Sequence, residues 1–372
     1  MSKTFLILGG YGNTGVLISE FLLKYTNSKL ILAGRNLSRA QQTAKLFNDK
    51  FLDDRVKPIA IGSINKKSLA EIFEPADMII VASSTIDYVK EIAEAAIIAG
   101  KDYIDIQLSS EKKIITLMEL EDRIRENKLL FITDCGFHPG IPGTLIRYAA
   151  NHFDKLEIAN VGSLINLNWK ELNFSESTIM EMVDEFKEYS PLVFQDNHWK
   201  KIPYKDYKKF DFDNDFLRTK CAPMMLEELR NLPIKYPTLR ETGFYVSGFN
   251  PFVNYIIIPF GYAFLRILPN RARKPFGKAL IWGLKKFSRP PFRTVIVMSA
   301  IGRQNELTRE IRIRLAHSDG YWLTAASVVA LLFQYLRGKF TKPGLYLQGS
   351  LVDPASFLKD IEALGVDVSV KN

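Results

Sequence analysis

Residues 3–15 read Lys3-Thr4-Phe5-Leu6-Ile7-Leu8-Gly9-Gly10-Tyr11-Gly12-Asn13-Thr14-Gly15. The first six make the short apolar run of a buried parallel strand. The glycines at 10, 12 and 15 then give G-x-G-x-x-G where the strand must turn into a helix, and Val16 to Tyr25 continues with amphipathic periodicity. Lacking a Cβ, these glycines let the backbone approach a pyrophosphate, whose charge meets the free N–H groups of a helix N-terminus. The cofactor contacts expected here are Gly10, Tyr11, Gly12, Asn13, Thr14 and Gly15.

A second apolar run, Lys29 to Gly34, ends about twenty residues beyond the last glycine, where NAD sites place an acidic residue on the ribose 2′-hydroxyl. This chain has Arg35 there, with Asn36 beside it and Arg39 one helical turn on. A guanidinium suits a 2′-phosphate and has no natural partner on NAD, so the expected cofactor is NADP(H). The alternative is two solvated arginines at a helix start. Ser63 and Ile64, beyond the third strand, complete this end of the expected cofactor set.

Strand and helix periods alternate through residue 135. Further strands are expected at Val56–Ile61, Asp77–Ala82, Tyr103–Ile106 and Leu129–Thr133, which predicts an α/β fold with a doubly wound parallel (Rossmann) sheet. Past Pro142 the pattern changes. A helix from Thr144 and a strand at Leu156–Leu164 lead into irregular, aromatic and lysine-rich sequence up to about Arg240. Thr294–Ile301 and Thr308–Leu315 read as an antiparallel pair around Gly302-Arg303-Gln304-Asn305, and Leu323–Leu336 as a long apolar helix. Asp353 and Pro354 start a final helix as N-cap and first helical residue. The expected organisation is a dinucleotide-binding domain over 1–142 and an α+β domain with a mixed or antiparallel sheet over 143–322. Residues 323–372 are expected to return to the first domain.

With 372 residues there is chain enough for two cores. The two cysteines, Cys135 and Cys221, offer neither a disulfide framework nor metal-ligand spacing, which suits a reducing compartment. No basic flank or cleavable apolar stretch precedes the glycine loop, so a cytoplasmic protein without a targeting segment is expected. No metal site, Walker loop or serine nucleophile elbow is found.

The net charge of +9 is concentrated. Thr242 to Asn305 holds no Asp or Glu and ten of the fifty basic residues; the forty others face 41 acidic ones. Within that stretch Phe249 to Leu265 is uncharged, and Arg271 to Ser288 mixes Phe276, Trp282 and Phe287 with lysines and arginines. Prolines, a glycine and asparagines argue against a bilayer span in the first part. The composition of 249–293 is that of an interfacial segment on an anionic membrane, or of amphipathic helices buried in a domain or dimer interface. Nucleic acid is not an expected partner, because no reading motif accompanies the charge. A homodimer through the second-domain sheet is expected.

In a doubly wound sheet the nicotinamide lies beyond the carboxyl ends of the strands at the switch point. Ala82, Ser83, Ser84, Asp105, Gln107, Asp134, Cys135 and His138 fall there. Small residues at 82–84 let a dinucleotide lie flat; Ser83 and Ser84 also read as helix caps. His138 is the sharpest acid–base candidate, because imidazole titrates near working pH, against the plainer reading of a loop histidine bonding backbone. Asp105, at a strand end, is the second. Cys135 reads as a small apolar residue beneath the nicotinamide, with no base–orienter set to make it a nucleophile.

Thr4 to Leu46, Ala82-Ser83-Ser84, Tyr103-Ile104-Asp105-Ile106 and above all Cys135-Gly136-Phe137-His138-Pro139-Gly140-Ile141-Pro142-Gly143 resemble the saccharopine dehydrogenase-like oxidoreductases. Lys342-Pro343-Gly344 through Val366 is similar to that family's closing stretch, so the resemblance covers about residues 1–150 and 308–370. It implies a Rossmann fold, NAD(P) use and hydride transfer at a carbon–nitrogen bond of an amino-acid-derived substrate. A distant branch, the trans-acting enoyl reductases, reduces carrier-bound lipid intermediates, and Tyr245 to Arg293 departs from the amino-acid branch. The alternatives are therefore a reductase of a lipophilic or carrier-bound substrate, and a non-catalytic NADP-binding scaffold.

Overall fold

The apolar run at the N-terminus does form a strand, and its burial explains its composition: Phe5, Leu6 and Ile7 have no exposed surface. The computed structural model describes residues 2–62, 64–107, 109–213, 216 and 218–371, so the expected cofactor residue Ser63 lies outside the described residues. In chain order the elements are β1 (Thr4–Leu8), α1 (Asn13–Tyr25), β2 (Lys29–Gly34), α2 (Leu37–Phe51), β3 (Val56–Ala60), α3 (Lys66–Phe73), β4 (Met78–Val81), α4 (Val89–Ala99), β5 (Asp102–Asp105), α5 (Glu111–Met118), α6 (Glu121–Glu126), β6 (Leu130–Thr133) and α7 (Ile141–Ala150). There follow β7 (Lys155–Asn166), α8 (Glu176–Glu188), β8 (Leu192–Gln195), β9 (His198–Lys201), β10 (Lys209–Phe210), β11 (Thr219–Lys220), β12 (Ala222–Met224), α9 (Glu227–Arg230), α10 (Leu232–Lys235) and β13 (Glu241–Ser247). The remainder comprises α11 (Ile258–Ile267), α12 (Arg273–Lys286), β14 (Arg293–Gln304), β15 (Leu307–His317), α13 (Gly320–Leu336), β16 (Gly344–Leu347), α14 (Gln348–Leu351), α15 (Pro354–Ala363) and β17 (Asp367–Lys371). They form two compact units. One gathers the chain up to Thr144 with Tyr321–Val366; the other runs Leu145–Gly320 and takes in β17.

The first unit is built on a seven-stranded sheet in the order β16-β6-β5-β4-β1-β2-β3, with every pair parallel. From β1 the chain winds outward through β2 and β3, then crosses to β4 and winds the other way. That reversal puts the switch point between β1 and β4. Helices cover the sheet, so its strands are apolar without alternation. The closing segment is part of this layer. Its β16 pairs with β6, and α13 buries Leu323, Val328, Val329, Leu331 and Leu332 completely. The Trp322 ring stands edge-on to Phe21 at 4.8 Å, and the Tyr335 hydroxyl donates to Asp102 at 2.7 Å. Each buried Leu or Val contributes about 1.5–3 kcal/mol, which is what holds a distant segment on this sheet. Two short helices, α5 and α6, connect β5 to β6.

The second unit carries an eight-stranded mixed sheet in the order β17-β15-β14-β7-β13-β8-β9, with β12 also on β13. Only β13 and β7 run parallel among its pairings. The stretch expected to be irregular, up to Arg240, holds α8, β8 to β12 and two short helices. Strands of two to four residues are too short to show a period, and long-range pairing defines them instead. The β14–β15 hairpin turns at Asn305 and Glu306, whose φ of 50° and 62° are those of a two-residue primed turn. β17 pairs with β15, so the last strand of the tail belongs to this unit.

Candidate cofactor and active site

The loop after β1 folds tightly on itself. Gly9 has φ of +80°, and the Gly12 N–H donates to the Gly9 carbonyl at 2.8 Å. A Cβ on Gly15 would stand 2.3 Å from that carbonyl oxygen, which is why α1 can start so close to the strand only with glycine there. Gly12 begins α1 with no side-chain cap, and the first turn holds no acidic residue. The first-turn amides of α1 are therefore set up for a phosphate ligand. Asn13 and Thr14 lie in this turn.

At the tip of β2 the residues form a small platform. Tyr11 lies across Gly34, where a Cβ would come within 2.3 Å of its hydroxyl. The Asn36 N–H donates to that hydroxyl at 2.9 Å, and the Asn36 side chain caps α2 by accepting from the Arg39 N–H at 3.0 Å. The Arg39 guanidinium sits over the Tyr11 ring at 5.3 Å, and Arg35 is exposed beside it. Tyr11 thus joins the glycine loop to the basic tip, and the ring steadies a guanidinium that suits a 2′-phosphate. Ile64 packs against the sheet's apolar core.

At the ends of β4 to β6, Ala82 extends the ladder by donating to the Leu8 carbonyl at 2.8 Å. Ser83 Oγ meets Thr85 Oγ1 at 3.2 Å, and the Gln107 amide donates to the Ser83 carbonyl at 3.3 Å and to Thr85 Oγ1 at 3.1 Å. The turn that follows, Ile86–Tyr88, starts at Thr85 without a side-chain cap.

Asp105 is fully buried, and so is Asp134 at the end of β6. Between them stands Lys113 of α5, with no side-chain exposure. Its ammonium donates to Asp105 Oδ1 at 3.0 Å, Asp134 Oδ1 at 2.7 Å and the Gln107 carbonyl at 2.7 Å. All three donors are used, as burial of an ammonium demands. Burial alone would depress the Lys113 pKa, but the two carboxylates outweigh it and hold the ammonium above its ordinary value. Burial raises the Asp134 carboxyl, against the pull of Lys113. The sequence reading missed Lys113, which sits in a charged triplet. The available signal was its spacing of four from Leu117, also fully buried, on the inner stripe of α5.

Cys135 is buried next to this triad, its N–H donating to the Asp105 carbonyl at 3.0 Å. Burial pushes its thiol well above the usual range, which leaves it a small apolar residue. His138, half-buried, stands edge-on to Phe137 at 4.6 Å. Burial takes its pKa down to about 4, so the ring is neutral at neutral pH. The closing segment braces this loop. Ser327 Oγ donates to the Gly136 carbonyl and the Gln348 amide donates to Ser327 Oγ, both at 2.7 Å. Neither residue could be found by local pattern, since they lie about two hundred positions downstream.

A parallel doubly wound sheet with an uncapped glycine turn and a basic second-strand tip defines an NADP-binding domain of the dehydrogenase type. Residues 5–130 match the saccharopine dehydrogenase NADP binding domain family. Across the whole chain the fold is similar to that of apo saccharopine dehydrogenase (L-Glu forming) from Saccharomyces cerevisiae. The TM-score is 0.71 at 13% identity, covering 100% of this chain and 99% of that one. DAP dehydrogenase from C. glutamicum superposes with a TM-score of 0.50 at 11% identity over 97% of this chain and 98% of that one. A curated relative, carboxyaminopropylagmatine dehydrogenase of Synechocystis sp., is 22% identical over 271 residues. That match takes in 69% of this chain and 65% of the relative's own length.

Proposed function

We propose that the protein is an NADP(H)-dependent oxidoreductase that transfers hydride at a carbon–nitrogen bond of an amino-acid-derived substrate. The observation carrying this reading is the Tyr11–Gly34–Asn36–Arg39 platform joined to the uncapped turn of α1. The related dehydrogenases, named for amino acids and amino-acid conjugates, support the substrate class. The cofactor supplies the hydride. The chain's part is to hold it: amides of residues 12–15 at the pyrophosphate, Arg35 and Arg39 at the 2′-phosphate, and Ala82, Ser83, Ser84 and Cys135 as a small-residue bed. In the reductive direction an imine carbon accepts hydride and its nitrogen accepts one proton. In the oxidative direction the amine carbon gives up hydride and its nitrogen one proton, and His138 is our candidate to accept that proton, since a ring neutral at working pH can take one. Asp105 acts through Lys113, holding the ends of β5 and β6 in register, and is a positioning residue in this reading.

Fluorescence titration of NADPH and NADH tests the cofactor assignment. Losing the charged contact in Arg39→Ala or Arg35→Ala is expected to cost about 2 kcal/mol, a roughly 30-fold weaker NADPH complex with NADH unchanged. Equal affinities of the parent for both cofactors would sink it. Screening NADPH oxidation against keto-acid and amine pairs tests the chemistry. Turnover of enoyl thioesters instead would favour the reductase of a lipophilic or carrier-bound substrate. Tight NADPH binding with no turnover on either would favour the scaffold.

A further inference from the structure

The second unit presents a surface that the dinucleotide site leaves unused. The π-helical turn Val253–Ile257 runs straight into α11, and Val253, Ile257, Gly261 and Leu265, four apart, form a buried stripe. Val253, Ile257 and Leu265 make one apolar cluster with Phe276, Leu280 and Leu284 of α12. A surface helix normally turns polar residues outward. Here the outward side is apolar as well: Tyr255 is 64% exposed, Phe260 62%, Phe264 57% and Ile267 74%. From Phe249 to Leu268 the only charge is Arg266. A helix apolar all round and standing in water marks a contact surface.

The chemistry of the partner follows from what flanks it. Phe252, at the head of this segment, lies 6.0 Å from the ring of Trp282 and 4.7 Å from that of Phe287, which ties the apolar helix to the outer side of α12. Beside Trp282 is an open depression of about 440 Å³ lined by Lys170, Lys285 and Lys286. Two other charges of α12, Arg273 and Lys274, pair with Asp184 and Glu176 of α8. No acid occurs from Thr242 to Asn305. A second copy docking face to face would set the same cations against themselves. No helix among the described residues is long and apolar enough to cross a membrane, which leaves contact along the surface.

We propose that this face docks on an anionic phospholipid surface. The α11 helix lies in the interfacial plane with Phe260, Phe264 and Ile267 toward the acyl chains, and the lysine-lined depression takes a lipid phosphate. The inference is independent of the substrate assigned above.

Vesicle flotation with the full-length protein tests it, using phosphatidylcholine alone and phosphatidylcholine mixed with phosphatidylglycerol, at low and high salt. Binding to the mixed vesicles at low salt is expected, with a blue shift of tryptophan emission. Lys285→Gln with Lys286→Gln removes two surface charges and is expected to weaken partitioning about 30-fold, from about 1 kcal/mol per charge. Phe260→Ser with Phe264→Ser, both exposed, is expected to abolish it. NADPH affinity, read in the other unit, reports whether each variant is folded and is expected to stay unchanged. The proposal is overturned if anionic vesicles do not bind, or if neither pair of substitutions weakens binding. It also fails if Phe260→Ser with Phe264→Ser dissolves a dimer of a protein that ignores vesicles, or if an acidic protein is captured where vesicles are not.

Discussion

The Lys113 ammonium donates three hydrogen bonds, two of them to carboxylates, and together they fix what a substitution there does. In Lys113→Met, Asp105 and Asp134 keep their burial and lose their counter-charge. The expected cost is about 3–5 kcal/mol, read as a fall in the urea midpoint of the first unit. The deficit should shrink as pH falls toward the ordinary aspartate value of 3.8, because carboxyls stripped of a cation take protons more readily folded than unfolded. His138 gives the opposite slope. Its ring is neutral in the native protein, with a pKa lowered by burial from 6.5 to about 4. The stability it contributes is complete above 6.5 and is lost as pH falls toward 4, by up to about 3 kcal/mol. In His138→Gln that acid limb should flatten when unfolding free energy is measured against pH; an unchanged limb would show that other groups carry it. The placement of Arg35 and Arg39 at the tip of β2 and the burial of Cys135 were legible from position alone. Lys113 was not, because a lysine's burial depends on two aspartates that only the sheet brings together.

At the scale of elements, the pair α11 and α12 depends on one close approach. A Cβ on Gly261 would stand 2.1 Å from the Phe276 ring. Gly261→Val is therefore expected to pry the helices apart at a cost of about 1–3 kcal/mol, with faster proteolytic cleavage between Phe249 and Ser288 as the check. The two helices were readable as helices from composition, but which side faces water was not. Apart from Arg266 the exposed side of α11 is as apolar as its buried stripe, so hydropathy offered little contrast. The short strands β8 to β12 went unseen for a related reason. A strand of two to four residues carries no period of its own, and β13 is defined by its parallel pairing with β7, some eighty positions away. By contrast, β14 and β15 pair locally, and the alternation Arg309-Glu310-Ile311-Arg312-Ile313-Arg314-Leu315 announced them.

At the scale of the molecule, the tail serves both units: β16 pairs with β6 and β17 with β15. Ending the chain at Phe340 removes both strands, and with them the Gln348 bond that braces Ser327 and the loop at Gly136. The expected result is loss of NADPH binding and of cooperative unfolding, measured by titration and calorimetry on the truncated chain. A truncated chain that still binds NADPH would show the loop to be self-supporting.

The sequence by itself determined the doubly wound sheet, the cofactor turn and the basic tip of β2. Each of these is written in residues close together in the chain, where local sterics and helix-end amides decide the outcome. Tertiary structure alone decided that Asp105 answers to a buried lysine, that Ser327 and Gln348 brace the Cys135–Gly143 loop, and that α11 faces water. Those outcomes depend on burial and on pairing between residues tens to hundreds of positions apart, and no local pattern carries that information.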